Sequence, residues 1–99
     1  MTSTLYPPIH PGELLNEEFL KPMGISAYRL AQATGLTPTH ISQIIHGKRA
    51  ITTGPALRIA RALGLSDMYW INAQARYEYQ TEQDRYAAEL GRIPLLAAA

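Results

Sequence analysis

Ser26-Ala27-Tyr28-Arg29-Leu30-Ala31-Gln32-Ala33-Thr34-Gly35-Leu36-Thr37-Pro38-Thr39-His40-Ile41-Ser42-Gln43-Ile44-Ile45-His46-Gly47 is the stretch that decides the fold of this 99-residue chain. Ser26 offers a hydroxyl to cap a helix that carries Leu30 and Ala31 inward and stops at Gly35, a residue that tolerates the left-handed conformation of a helix end. Thr37-Pro38 repeats the start signal, a capping hydroxyl followed by a proline whose missing N–H costs nothing in a first turn. Ile41, Ile44 and Ile45 are the apolar positions of the helix so started, Gly47 ends it, and Thr39, His40, Ser42, Gln43 and His46 make up its polar side. Small Ala31 lets the two helices approach closely, while Leu36, Ile41 and Ile44 fix the angle between them. The second helix is thereby expected to stand away from the body with its polar side free.

Upstream, His10-Pro11-Gly12-Glu13 reads as a helix start, followed by Leu14, Leu15, Phe19 and Leu20 on one face. Lys21-Pro22-Met23-Gly24 predicts the end of that helix, because the residue before a proline avoids the helical region and glycine tolerates the left-handed cap. Downstream, Thr52 and Thr53 introduce a fourth helix packed through Leu57, Ile59, Ala60 and Leu63 and closed by Gly64. Ser66-Asp67 opens a fifth, which runs without glycine or proline to about Leu90, long for so small a domain. Strand-length alternation and internal repeats are absent, and the only low-complexity tract is the tail Leu95 to Ala99, which has a frayed character. The expected fold is all-α, five repressor-like helices with a long C-terminal one. It forms a single domain over residues 1–99, with its core at about 9–80 and the helix extending to about 90.

Composition narrows the class. An apolar content of 46% suffices for one compact core. Without cysteine there is neither a disulfide framework nor a thiolate metal site, which predicts a cytoplasmic protein. The opening residues lack the blocks of a signal peptide, and no apolar run approaches the length of about 20 residues that spans a bilayer, so no membrane partner is expected. The net charge is only +1, yet it is unevenly spread. Glu13, Glu17 and Glu18 lead the chain, and acids again outnumber arginines from Asp67 onward. Between Phe19 and Ser66 lie Lys21, Arg29, Lys48, Arg49, Arg58 and Arg61 without one Asp or Glu. A basic block of that length in a nearly neutral protein is what a phosphate-facing surface requires.

Two short helices meeting at a glycine, the second with a free polar side, are the geometry of a helix-turn-helix. It presents the start of its second helix to base edges in a major groove while the first crosses the phosphate backbone. Thr39, His40 and Gln43 share one polar side and are the base-reading candidates, Gln suiting adenine and Thr a thymine methyl group. Thr37, foremost a cap, sits near the same groove. Lys48 and Arg49 follow the helix directly and, with Thr53, Ser26 and Tyr28, are natural phosphate contacts. Arg58 and Arg61 fit a role in the fold or at a dimer contact equally well. In the last helix Trp70 and Tyr77 lie on one stripe and Met68 and Ile71 on another, more apolar surface than one core-facing side needs, which marks these four as a dimer or partner interface. His40 and His46 lack a carboxylate between them, and His10 with Glu13 suits a helix start. No metal, cofactor or catalytic nucleophile–base pair is expected, and the chain does not read as an enzyme.

The spacing from Leu30-Ala31 through Gly35, Ile41 and Gly47-Lys48 to Ile59-Ala60 and Leu63-Gly64 resembles the repressor and Cro-like helix-turn-helix family. More narrowly, His10-Pro11-Gly12-Glu13, Gly47-Lys48-Arg49-Ala50-Ile51-Thr52, Leu57-Arg58-Ile59-Ala60 and Tyr69-Trp70-Ile71-Asn72-Ala73-Gln74 resemble the HigA-type antidote proteins of bacterial toxin–antitoxin modules, over about residues 9 to 80. The resemblance implies a dimeric antitoxin that binds a double-stranded DNA operator, represses its own operon and neutralises a small basic toxin that cleaves messenger RNA on the ribosome. The family commonly has arginine where this chain has His40, so no operator sequence is carried over. A homodimer is expected on physical grounds too, since a lone helix-turn-helix buries too little DNA surface for tight specific binding. The alternative is a solitary repressor-type regulator without a toxin, which shares every DNA-facing residue.

Overall fold

The computed structural model describes residues 7–97, and over them the chain is helical, with no strand. The ends of the expected domain, residues 1–6 and 98–99, lie outside the described residues, as do the first part of the leader reading and the last two positions of the tail. Helix α1 starts at Pro11 because the ring Nδ1 of His10 accepts a hydrogen bond from the Gly12 N–H (2.9 Å), the service a capping hydroxyl usually performs. It runs through Pro11–Leu14, a π-helical stretch Leu15–Leu20, and Lys21–Met23. The helix ends where the glycine predicts, at left-handed Gly24 (φ 67°), but the expected avoidance of the helical region before the proline does not hold: Lys21 is helical (φ −63°, ψ −52°) and the helix passes through Pro22. The π stretch accounts for this. Its last N–H, that of Lys21, reaches back to Asn16 O, and this widened turn directly before Pro22 relieves the crowding a proline ring causes against the preceding turn.

Helices α2 (Ala27–Thr34) and α3 (Pro38–Ile45) start as their caps predict. Ser26 Oγ accepts from the Arg29 N–H (3.1 Å) and Thr37 Oγ1 from the His40 N–H (3.0 Å). The turn between them is held from three directions. Gly35 is left-handed (φ 78°); the buried Thr34 hydroxyl donates to Leu30 O (2.7 Å) and accepts from the Leu36 N–H (3.3 Å); and Arg58 Nη1 donates to Thr34 O (2.7 Å). A Cβ at position 35 would stand 3.1 Å from that guanidinium, so glycine here serves both the turn and the approach of Arg58.

Helix α4 (Thr53–Leu63) buries Ala56, Ile59, Ala60 and Leu63. Leu57, expected in the core, is 36% exposed, and Ala56 takes that place because the i, i+3, i+4, i+7 spacing of Ile59, Ala60 and Leu63 starts from it. One hydrophobic cluster joins Leu15 and Leu20 of α1, Leu30 and Ala31 of α2, Ile41 and Ile44 of α3, the α4 residues, Ile51, and Trp70 and Ala73. At Gly12 an added Cβ would collide with the carbonyl of Ile44, so α1 lies directly against the end of α3.

The last helix departs from expectation at both ends. It begins at Tyr69 instead of Ser66-Asp67, because the Asp67 carboxylate takes a two-pronged hydrogen bond from Arg61 (2.7 and 3.0 Å) and a turn joins the Tyr69 N–H to Ser66 O. It breaks at Tyr86 (φ −116°, ψ 25°), giving α5 (Tyr69–Arg85) and a short α6 (Ala87–Gly91). No described residue after Gln74 is buried, so the distal turns lack the packing that holds a helix straight. No helix among the described residues is long and apolar enough to cross a membrane.

Candidate nucleic-acid interface

Thr37 and Pro38 set where α3 begins, and the roll of α3 is set by Ile41 and Ile44, both 0% exposed. With that face sunk in the core, Thr39, Ser42, Gln43 and His46 are exposed and His40 is half-buried. The expected polar side of α3 is therefore an open surface. It ends in a tight turn at left-handed Gly47 (φ 73°), closed by Gly47 N–H to Ile44 O (3.0 Å) and Lys48 N–H to Gln43 O (2.8 Å). That turn brings the chain back over the helix end, so Arg49 Nη1 donates to Gln43 Oε1 at 3.2 Å.

The electrostatics follow from who is paired. Among the described residues the ion pairs are Lys21 with Glu17 (2.9 Å) and Arg61 with Asp67. Arg58 is tied to a carbonyl, while Lys48 and Arg49 have no carboxylate partner among the described residues and lie exposed beside α3. Burial, and then the charge of Arg49, hold the His40 imidazole below its ordinary pKa, which favours the neutral ring at neutral pH. His10 is likewise lowered, chiefly by burial, against an opposing pull from Glu13. The cap at Gly12 requires that same unprotonated Nδ1.

Gln43, Arg49 and His40 thus come together, and Thr37 meets the His40 backbone. Ser26 is occupied as a cap, Tyr28 is 60% exposed and accepts at its hydroxyl from Gln32 (3.2 Å), and Thr53 stands exposed at the first turn of α4. The four interface candidates differ in exposure. Trp70 is 0% exposed, its ring edge-on to Phe19 and Tyr69, so its assignment to an interface is corrected: the core takes the whole indole. Met68 is 50% exposed; half-buried Ile71 lines a cleft with Thr53 and Gln74; and Tyr77 packs edge-on against His10, centroids 5.0 Å apart. Sequence reasoning missed Gln74, whose buried Oε1 accepts from the Ile51 N–H (2.9 Å) and whose Nε2 donates to Glu78 (3.0 Å), tying α5 to the loop that carries Lys48 and Arg49. Its sequence signal was its place as the last residue of the Tyr69-Trp70-Ile71-Asn72-Ala73-Gln74 motif, which names no role for it. Among the described residues no three His, Asp or Glu side chains gather as a metal would need.

A helix-turn-helix family model matches residues 17–70 of the chain. Over 90 residues the chain is 44% identical to virulence-associated protein I of Dichelobacter nodosus, covering 90% of this chain and 82% of that protein. It is 37% identical to antitoxin HigA-1 of Vibrio cholerae over 90 residues, covering 90% and 84% respectively. Its backbone is similar to that of a Pseudomonas aeruginosa antitoxin HigA solved with the higBA promoter, with TM-score 0.83 and 32% identity, covering 91% of this chain and 99% of that one.

Proposed function

The chain belongs to the helix-turn-helix family that includes the HigA antitoxins, and from that premise we propose that it is a sequence-specific DNA-binding antitoxin that represses its own operon and neutralises a messenger-RNA-cleaving toxin. The observation that carries the DNA-binding half is the open polar side of α3, rolled outward by Ile41 and Ile44 and flanked by the unpaired cations Lys48 and Arg49. In this proposal Thr39, His40 and Gln43, with Thr37 beside them, meet base edges. Lys48, Arg49, Thr53, Ser26 and Tyr28 meet phosphates and set the register. It acts in the cytoplasm, as a homodimer that spans two half-sites about 34 Å apart. The subunit contact draws on Met68, Ile71 and Tyr77 without Trp70.

The toxin half rests on family membership, and its partner is a small basic protein encoded beside this gene. Co-expression with the adjacent gene product tests it: the two proteins co-purify and growth arrest by the partner alone is relieved. Absence of both effects leaves a solitary regulator. Sedimentation of the chain at micromolar concentration tests the dimer, and a monomer that binds its promoter unchanged would contradict it.

A further inference from the structure

Among the described residues, the one side-chain hydrogen bond on the open face of α3 that crosses from a base-reading candidate to an anchoring one is Arg49 Nη1 to Gln43 Oε1, at 3.2 Å. Its geometry is imposed by the backbone. The Lys48 N–H is bonded to the Gln43 carbonyl, which brings the next residue, Arg49, back beside the Gln43 side chain. Nothing else among the described residues competes for this guanidinium: it has no carboxylate partner, and both side chains are exposed. The same cation lies close enough to His40 to add, after burial, to what disfavours a positive charge there.

The consequence is a change in what the glutamine offers. A free glutamine suits adenine, accepting from N6 through Oε1 while donating to N7 through Nε2. Here Oε1 is engaged by a guanidinium N–H. Its second lone pair stays open, but an adenine amino group brought to it would stand beside the charged guanidinium and its remaining N–H groups, donor against donor, which disfavours adenine. The pair as a unit presents donors, Nε2 and the spare guanidinium N–H groups, and the base edge that offers two acceptors in the major groove is that of guanine, at N7 and O6. We propose that Arg49 is a positioning residue for base recognition, orienting the Gln43 amide so that the two side chains together select guanine in each half-site. This rests on DNA reading by α3 and deepens it.

Selection from a randomised duplex library by the full-length wild type, Gln43→Ala and Arg49→Ala tests the assignment. The position to follow is the one at which Gln43→Ala loses the wild-type preference. There the wild type prefers G·C over A·T about tenfold, in the range of one bidentate base contact, and Arg49→Ala moves the preference towards A·T while other positions keep theirs. A uniform loss of affinity in Arg49→Ala with the preference intact makes Arg49 a phosphate anchor alone and overturns the proposal. So does a wild-type preference for A·T at that position, or a motif that Gln43→Ala leaves unchanged. If the wild type enriches no sequence at all, DNA reading itself fails, and that failure is visible before any substitution is made.

Discussion

Gln74 Oε1 accepts a 2.9 Å hydrogen bond from the Ile51 N–H, a buried contact between residues 23 positions apart. It fixes the loop after α3 to the first half of α5, so the cations Lys48 and Arg49 are displayed from a braced segment. Gln74→Ala leaves the Ile51 N–H buried without an acceptor, which costs about 1–3 kcal/mol. Urea unfolding followed through the single tryptophan, Trp70, measures it, and an unchanged midpoint would mean the bond contributes nothing.

Gly12 touches the end of α3. In an exposed helix interior, glycine to alanine stabilises by roughly 0.5–1 kcal/mol, yet here the methyl group would enter the carbonyl of Ile44. Gly12→Ala is therefore expected to destabilise by about 1–3 kcal/mol, as overpacking does. A thermal melt gives the sign directly.

His10 makes stability depend on pH. Its pKa in the folded chain lies below the ordinary histidine value, so protons bind the unfolded chain more tightly. Stability from this group is complete above about pH 6.5, the unfolded value, and declines as pH falls from there through the folded pKa. His10→Asn keeps a capping acceptor but cannot titrate. Its urea midpoint is expected to vary less than that of wild type between neutral pH and pH about 5, and two superimposable profiles would exclude His10 as the source.

Lys48 is exposed, without a carboxylate partner among the described residues, shortly after α3. Lys48→Ala is expected to weaken binding to promoter and random duplexes alike and to lower the slope of log affinity against log salt by about one unit. An unchanged slope would place Lys48 off the phosphate path.

The α2–α3 unit was legible because its signals are local. Ser26, Gly35, Thr37-Pro38 and Gly47 each specify the backbone within a few residues of themselves, and the isoleucine spacing gave the roll of α3. What escaped depends on partners distant in sequence. Arg58 left two roles open until its 2.7 Å bond to Thr34 O, 24 residues away, assigned it to the fold. Trp70 looked like surplus apolar surface because nothing in its own helix announces Phe19 across the core. The break at Tyr86 has no glycine or proline to mark it and follows from the absence of buried neighbours beyond Gln74. Within the candidate site, the residue types on α3 were readable, whereas the bond from Arg49 to Gln43 was not, since it requires the path of the turn at Gly47.

Titrating wild type and Gln43→Ala against a duplex of the protein's own promoter and a random duplex, at one fixed salt concentration, tests whether α3 reads an operator. Wild type is expected to bind the promoter at least about a thousandfold more tightly than the random duplex, and Gln43→Ala to lose about 1–3 kcal/mol on the promoter alone. Equal wild-type affinity for the two duplexes, or an equal loss on both in Gln43→Ala, would contradict it.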